Sequence, residues 1–490
     1  MVTTNQKPTV TELDFEDTQG LVLNTYKHLA TSVNLFLKIG DVTQAREWLK
    51  IMRPQVMSAA RWPIGPDGKT IKPETALNLA FTADGLALLN IPLAGFSTEF
   101  REGMAPRNPD KPEDLCARSR RLGDTGPSHP ATWEYGGLKN ETIHIYLLLF
   151  AADNDRLKEY LQNQRDNWER YGLTQIAEEF TYRPGHSREP FGFRDGMSQP
   201  GISGLDTKDE ELGSDKEIIA AGEFVQGYLN EYGYYPPVPD KSELAKNGTY
   251  IVYRKLEQDV VTFWNFVYST AGNDPNKAEY LAAKFVGRWR DGTPLTFSPN
   301  HNDPKLAADA GRNNNFQFVA DNDKPGYGCP VGSHVRRTNP RDSLMPDPTA
   351  STTAVRRHRI VRRGRVYGPE YPEDVVAHLT QIKAAQGADK FVADSDKPRG
   401  LIFMCINTDI KRQFEFIQQT WVNDPKFDGL YQDKDPLMGS NEDDEVSNMT
   451  IQAKPIRQQI KNLPRFVTVR AGGYFYLPGI AGLRYIAELT

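Results

Sequence analysis

The amino-acid sequence predicts an α+β protein of two units, each an antiparallel sheet with helices packed on one face. The chain has 490 residues, which is enough for two large domains. Both halves repeat one order of elements: an apolar strand, an amphipathic helix, long loops, then a further strand and helix. Residues 205–246 are acidic and then rich in Tyr and Pro, which is typical of a connection between the halves.

The elements of the first half follow from the spacing of its apolar residues. Residues 1–13 are polar and predict a loose N-terminal arm, and residues 21–23 predict a short strand. The segment 141–150 is apolar and β-prone, so it predicts a buried strand. Apolar residues over 155–171 recur at helical spacing, which predicts an amphipathic helix.

The second half starts with a predicted strand over 248–254 and a predicted helix over 277–289. Residues 401–406 predict another buried strand, and residues 414–421 predict the helix that follows it. Residues 424–446 read as a loop. This half therefore repeats the pattern of the first.

The composition excludes several classes of protein. A net charge of −5 without a basic stripe argues against a nucleic-acid-binding protein. An aromatic content of 10% excludes a disordered chain, and three scattered cysteines exclude a disulfide framework. The first residues lack the apolar stretch of a secretory signal, and no apolar run is long enough for a membrane span. We therefore expect a cytoplasmic protein without membrane contact.

A glycine-rich motif, FGFRDGMSQPG, occupies residues 191–201. Gly192 and Gly196 allow a tight backbone that another group can approach closely. Asp195, between them, is either a turn-forming residue or a positioned acid or base. The motif alone leaves both readings open.

Two further segments carry histidine and arginine. His334, in GSHVRRTNPR, is either an ordinary packed histidine or a metal ligand. The arginines of 356–365 form either a solvated basic face or inward cations that need buried anions. In the strand 401–406, Leu401 and Phe403 point to the same face and are placed to line a pocket. Phosphate-loop, dinucleotide-binding, zinc-protease and serine-hydrolase motifs are missing from the sequence.

Together these motifs resemble those of the dye-decolorizing peroxidase family, haem enzymes with a duplicated ferredoxin-like fold. Residues 192–196 match the G-x-x-D-G motif, His334 matches the proximal histidine, and Arg362 matches the distal arginine. The length and long loops resemble the larger subgroup, found in fungi and some bacteria. The resemblance implies ferredoxin-like domains at 14–240 and 241–490, with haem between the sheet and the helices of the C-terminal half.

The resemblance also implies one haem b per chain, with His334 as the axial ligand of its iron. A carboxylate should hold the other ring nitrogen of His334, and Glu415 and Asp409 are our candidates. Tyr367 is either a surface electron relay or a packed tyrosine. The other implied haem contacts are Arg336, Arg362, Leu401 and Phe403.

The implied function is a haem peroxidase that reduces hydrogen peroxide and oxidises dyes and phenolic or aromatic donors. It works by one-electron steps through an oxoferryl intermediate. Asp195 would move the peroxide proton, and Arg362 would stabilise the charge on the departing oxygen. The alternative is a haem-handling protein with little turnover. The long loops are compatible with a homo-oligomer, and no nucleic-acid partner is expected.

Overall fold

The structure, a computed structural model, describes residues 12–106, 116–204, 217–442 and 445–489. The predicted N-terminal arm lies outside these residues except for Glu12 and Leu13, and Leu13 is buried. In these four ranges, every helix is too short or too polar to cross a membrane.

Thirteen strands lie within the described residues, nine of them in one large sheet. They are β1 (Thr31–Ile39), β2 (Thr75–Phe81), β3 (Ile145–Ala151), β4 (Leu173–Tyr182), β5 (Gly201–Ile202), β6 (Ile218–Ile219), β7 (Thr249–Gln258), β8 (Val361–Arg362), β9 (Arg365–Tyr367), β10 (Gly400–Asn407), β11 (Met449–Ile451), β12 (Gln458–Ile460) and β13 (Val467–Leu477).

The described residues form thirteen α-helices. They are α1 (Gly20–Leu23), α2 (Val42–Met52), α3 (Ala83–Leu88), α4 (Thr98–Glu102), α5 (Ala117–Leu122), α6 (Asn154–Arg170), α7 (Val260–Thr270), α8 (Pro275–Val286), α9 (Pro304–Ala308), α10 (His334–Thr338), α11 (Pro348–Arg356), α12 (Val375–Ala385) and α13 (Ile480–Glu488). Two π-helical stretches, Lys411–Glu415 and Ile417–Val422, follow β10.

Each half of the large sheet has the strand order of a ferredoxin-like unit. The first half runs β4-β1-β3-β2, and the second runs β13-β7-β10-β9. Single pairings, Tyr476 with Phe81 and Tyr182 with Val366, join the halves at both edges. Because β7 also pairs with β10, the strands close into a ring. The α+β fold predicted from the sequence is confirmed, while the domain boundary at 240 stays a prediction.

The closed sheet separates two cores. Aromatic side chains from both halves fill the interior, where Phe36 stacks on Tyr146 and lies edge-on to Tyr253. On the outside, alternate strand residues pack against the helices. In the second half Leu256 of β7 pairs with Leu401 of β10 and packs in this outer layer. The outer layer of the second half therefore forms the wall of the cavity described below.

The main strands and helices agree with the sequence pattern, but one short prediction was wrong. Residues 21–23 form part of the single helical turn α1, closed by a 2.7 Å hydrogen bond from the Asn24 N–H to the Gly20 carbonyl. All four residues of α1 are buried. A buried apolar run of three residues does not distinguish a strand from a helical turn.

Candidate functional site

An inner cavity of about 160 Å³ lies between the sheet and the helices of the second half. Strands β7, β10 and β13 form one wall, and residues from α8, α10 and the loop after Asp435 form the other. The loop 189–198, which contains Asp195, completes the lining. The apolar part of the lining includes Phe191, Phe193, Leu256, Val286, Leu401 and Val467.

His334, the first residue of α10, lines this cavity. Its Nδ1 lies 2.9 Å from the buried carboxylate of Asp435, whose other oxygen accepts the N–H groups of Leu437 and Met438. Burial alone would raise the pKa of Asp435, but His334 and these N–H donors outweigh burial and lower it. Asp435 is therefore ionised and accepts the Nδ1 proton, which leaves the lone pair of Nε2 free for a ligand bond.

Neither carboxylate predicted as the partner of His334 occupies that place. Glu415 accepts hydrogen bonds from Arg118 and Tyr474, and Asp409 pairs with Arg412. Asp435 lies in the segment predicted as a loop, 101 residues after His334. The local signal for Asp435 was that it precedes a proline and accepts a hydrogen bond within its own turn. Such turns are common, so this signal does not single out Asp435.

Asp195 and Arg362 form an ion pair of 3.1 Å that also lines the inner cavity. Gly192 and Gly196 on either side of Asp195 have φ values of 95° and 79°, which favour glycine. A side chain at position 192 would lie 2.6 Å from Val375. Gly192 therefore brings the backbone close to Val375, and the positive φ of both glycines forms the turn that directs Asp195 to the cavity.

The backbone of Arg362 is held by Gln199, whose amide accepts from its N–H at 3.0 Å and donates to its carbonyl at 3.2 Å. Gly364 lies against β10, since a Cβ there would meet the carbonyl of Ile402 at 2.4 Å. The motif of Asp195 thus fixes the strand of Arg362 through Gln199. Sequence reasoning included Gln199 in the motif but gave it no role.

An outer cavity of about 490 Å³ adjoins the inner one. Asp195, Arg362, Glu189 and Leu401 line both cavities. The ion pair therefore stands where a small molecule passes from the outer cavity toward His334.

Glu189 is a half-buried carboxyl group that sequence reasoning missed. It accepts hydrogen bonds from the N–H groups of Phe191 and Phe193 and from the Gln258 amide. Burial, and to a smaller degree the charge of Asp195, raise the pKa of Glu189 to about 7 against the effect of the donors. Glu189 thus fixes the turn that carries Asp195.

We expect the Glu189→Gln variant to lose a pH dependence of stability that the wild type has. An unfolded glutamate has a pKa of about 4.3. The pKa of Glu189 is raised on folding, so its contribution to stability is complete below pH 4.3 and is lost as the pH rises through 7. Between pH 4 and 8 the free energy of unfolding of the wild type should fall by about 3 kcal/mol relative to the variant. Urea unfolding at both pH values measures this, with the exposed Glu169→Gln as control.

Two residues singled out from the sequence, Arg336 and Tyr367, are not part of the described cavity linings. Arg336 is buried and donates to the carbonyls of Asp323, Lys324 and Cys329, so it was wrongly assigned to the cofactor. Tyr367 is only 2% exposed, below Lys255, and is not a surface residue.

Phe403, two residues after Leu401, is not part of the described cavity lining. Its ring centre lies 6.1 Å from that of Phe414. Leu401 itself lines both cavities, as predicted.

The residues around the inner cavity fit a metal cofactor that already supplies most of the ligands of its own metal ion. Among the described residues, no group of three or more His, Cys, Asp or Glu side chains could hold a bare metal ion. The inner cavity offers a single imidazole with its Nε2 free, surrounded by apolar side chains. Arg288 and Arg362 add positive charge to its wall. These features fit haem, which needs one axial donor, an apolar pocket and cations for its carboxylates.

Comparisons with known proteins point to one family. The chain is 28% identical over 434 residues to the dye-decolorizing peroxidase msp1 of Mycetinis scorodonius, covering 85% of this chain and 77% of the relative. It is 28% identical over 477 residues to the multifunctional dye peroxidase DyP2 of Amycolatopsis sp., covering 92% and 91%. A solved structure of a dye-decolorizing peroxidase with 2,6-dimethoxyphenol matches with a TM-score of 0.77 at 25% identity, covering 97% and 100%. Models of protein families give no match. The resemblance drawn from the motifs is confirmed.

Proposed function

We propose, from the homology of this chain to the dye-decolorizing peroxidases, that it is a haem peroxidase acting on hydrogen peroxide and aromatic donors. One observation carries the proposal: the Asp435-bound imidazole of His334 and the Asp195–Arg362 pair line the same cavity. An axial donor and an acid–base pair at one cavity are what peroxide cleavage requires. The proposed donors are phenols and dyes, since a relative was solved with 2,6-dimethoxyphenol.

The described residues supply proton transfer and charge stabilisation. Asp195, as a carboxylate, takes a proton from hydrogen peroxide and returns it to the leaving oxygen as water forms. Arg362, 3.1 Å from Asp195, stabilises the negative charge that develops on that oxygen. When bound, haem supplies the iron and the redox capacity for two one-electron oxidations of donors. Two donor electrons and two protons then balance the reduction of one peroxide to two water molecules.

His334 would hold the iron, and Asp435 sets the character of that bond. A carboxylate that accepts the Nδ1 proton gives the imidazole anionic character and makes it a stronger donor. The N–H groups of Leu437 and Met438 keep Asp435 oriented. We propose Asp435 as the residue that tunes the iron, in the place predicted for Glu415 or Asp409.

The test is an absorption spectrum of the purified protein with haem, before and after one equivalent of hydrogen peroxide. A Soret band that changes with peroxide and returns when 2,6-dimethoxyphenol is added supports the peroxidase. A Soret band that does not respond to peroxide would support a haem-handling protein instead. No Soret band after addition of hemin would reject both.

We expect Asp435→Asn to keep the fold but weaken the bond from His334 to iron. The variant still offers an oxygen to Nδ1 but removes the negative charge, so the imidazole donates less strongly. Haem affinity should fall about 10- to 100-fold, and the reduction potential of the iron should rise. Spectroelectrochemistry measures the potential, and Asp424→Asn in the same loop is the control. An unchanged potential would contradict this role.

A further inference from the structure

The outer cavity carries an excess of positive charge. Of the described side chains that line it, seven are arginine or lysine and two, Glu189 and Asp195, are carboxylates. The whole chain, by contrast, has a net charge of −5. The proposed reaction uses one of the seven cations, Arg362, and gives the other six no role. A cleft lined by one sign of charge raises the local concentration of ligands of the opposite sign.

The two carboxylates of the lining do not neutralise this charge. Asp195 is paired with Arg362 at 3.1 Å. Glu189 accepts hydrogen bonds from two backbone N–H groups and one side-chain amide, and burial is the main cause that raises its pKa to about 7. The two carboxylates therefore balance at most two of the seven cations, and the lining keeps a positive charge.

Arg365 on β9 is a buried source of this charge. Its terminal nitrogens donate to the carbonyls of Leu29 and Tyr26, at 2.7 and 3.1 Å. Burial lowers the pKa of Arg365 to about 9, and the charge of Arg183 contributes to the decrease. Arg365 therefore stays protonated at neutral pH. Carbonyl oxygens orient a guanidinium without cancelling its net charge, so Arg365 adds to the positive field of the cavity.

Two exposed cations of the lining, Arg194 and Lys27, are within reach of a ligand. Arg194 precedes Asp195 and donates from one terminal nitrogen to the carbonyl of Ala307 at 3.0 Å. Lys27 lies in the loop before β1. The two residues belong to separate segments of the chain, so each can be changed without altering the backbone that carries the other.

The outer cavity also has the size and the apolar surface for an aromatic ring. Its volume of about 490 Å³ lies within the range of small-molecule sites. Met197, Val366 and Leu401 provide apolar side chains. Leu401 and the Asp195–Arg362 pair line the inner cavity as well, so a ligand in the outer cavity lies next to the proposed reaction site.

We propose that the outer cavity binds aromatic carboxylates, and that phenolic carboxylates are electron donors of the peroxidase. The donor role rests on the proposed function. The cations of the lining attract the carboxylate, and the apolar side chains contact the ring. Two phenolic carboxylates each give up one electron and the phenolic proton, which together reduce one hydrogen peroxide to two water molecules. Neutral phenols lack this attraction, so the cavity selects donors by their charge.

The first experiment compares syringate with its neutral methyl ester. Both carry the ring of 2,6-dimethoxyphenol, with which a relative was solved. The value of kcat/KM for each donor is measured from about 0.01 M to about 1 M ionic strength, over which the Debye length falls from about 30 Å to about 3 Å. In the wild type we expect the ratio of kcat/KM for syringate to that for the ester to fall about tenfold, because salt screens only the charged donor. Following one ratio across salt removes the difference in oxidation potential between the two donors.

Arg194→Gln and Lys27→Gln should each reduce this salt dependence about threefold, and the double variant should reduce it further. Arg484→Gln, at an exposed arginine of α13 outside the lining, is the control and should keep the salt dependence of the wild type. The wild-type ratio tests the site even where one of the variants fails to fold.

A calorimetric titration tests the site without peroxide or turnover. Benzoate, benzamide and sulfate are titrated into the purified protein. We expect benzoate to bind about tenfold more tightly than benzamide or sulfate, and less tightly to Arg194→Gln than to the wild type. Sulfate that binds as tightly as benzoate would overturn the aromatic class of ligand.

The two experiments together separate the site from the function. Benzoate binding with a donor ratio that does not change with salt would overturn the donor role. No benzoate binding and no salt dependence of the ratio would overturn the site itself. A protein that binds benzoate in preference to benzamide but oxidises no donor with hydrogen peroxide would support the site and reject the proposed function.

Discussion

His334→Ala should yield a folded protein that no longer retains haem after gel filtration. His334 is the described cavity residue that offers a free imidazole Nε2, because Asp435 takes its Nδ1 proton. Without an axial donor, haem is held only by apolar contacts and by cations at the edge of the cavity. We expect the Soret absorbance per protein to fall at least tenfold. Peroxidase turnover should fall by about three orders of magnitude.

The control for this variant is His301→Ala, which removes an exposed histidine outside the cavity. It should keep the Soret band and the activity of the wild type. Added imidazole should partly restore the band in His334→Ala, since a free ligand fits the space that the side chain leaves. A His334→Ala protein that keeps a normal Soret band would show that another residue binds the iron.

Local motifs sufficed to single out Asp195, His334 and Arg362, which are three of the residues that line the inner cavity. Asp195 lies between two glycines with positive φ, and Arg362 lies on a short strand next to Gly364, so both are marked by nearby glycines. His334 is the first residue of a helix, and the cation-rich segment around it can be recognised in the sequence. Each of these signals spans fewer than a dozen residues and can be recognised without knowledge of the tertiary structure.

The parts that sequence reasoning missed depend on long-range packing. Asp435 is 101 residues from His334, and many other carboxylates, Glu415 and Asp409 among them, carry equally good local signals. Burial also has no reliable local signature for amphipathic residues. Tyr367 and Arg336 stand at positions that the sequence motifs single out. The closed sheet, however, buries Tyr367, and backbone carbonyls accept the hydrogen bonds of Arg336.

Asp195→Asn should keep haem and lose most of the rate with hydrogen peroxide. An amide cannot accept the peroxide proton, although it has the size of the carboxylate and can still accept a hydrogen bond from Arg362. General acid–base catalysis contributes about 10²- to 10⁴-fold, so the second-order rate of peroxide reaction should fall by that factor. Stopped-flow absorbance of the Soret band measures it, and the exposed Asp389→Asn is the control.

Arg362→Leu should also retain haem and slow the same step, but the double variant tests whether the two residues act together. If Asp195 moves the proton while Arg362 stabilises the charge left behind, each function is useful only when the other is present. The 3.1 Å ion pair joins them directly, so their effects on the rate should not add. We expect the double variant to lose little more than the more damaged single variant. Fully additive losses would mean that the two groups assist separate steps, and an unchanged rate in Arg362→Leu would remove it from the reaction.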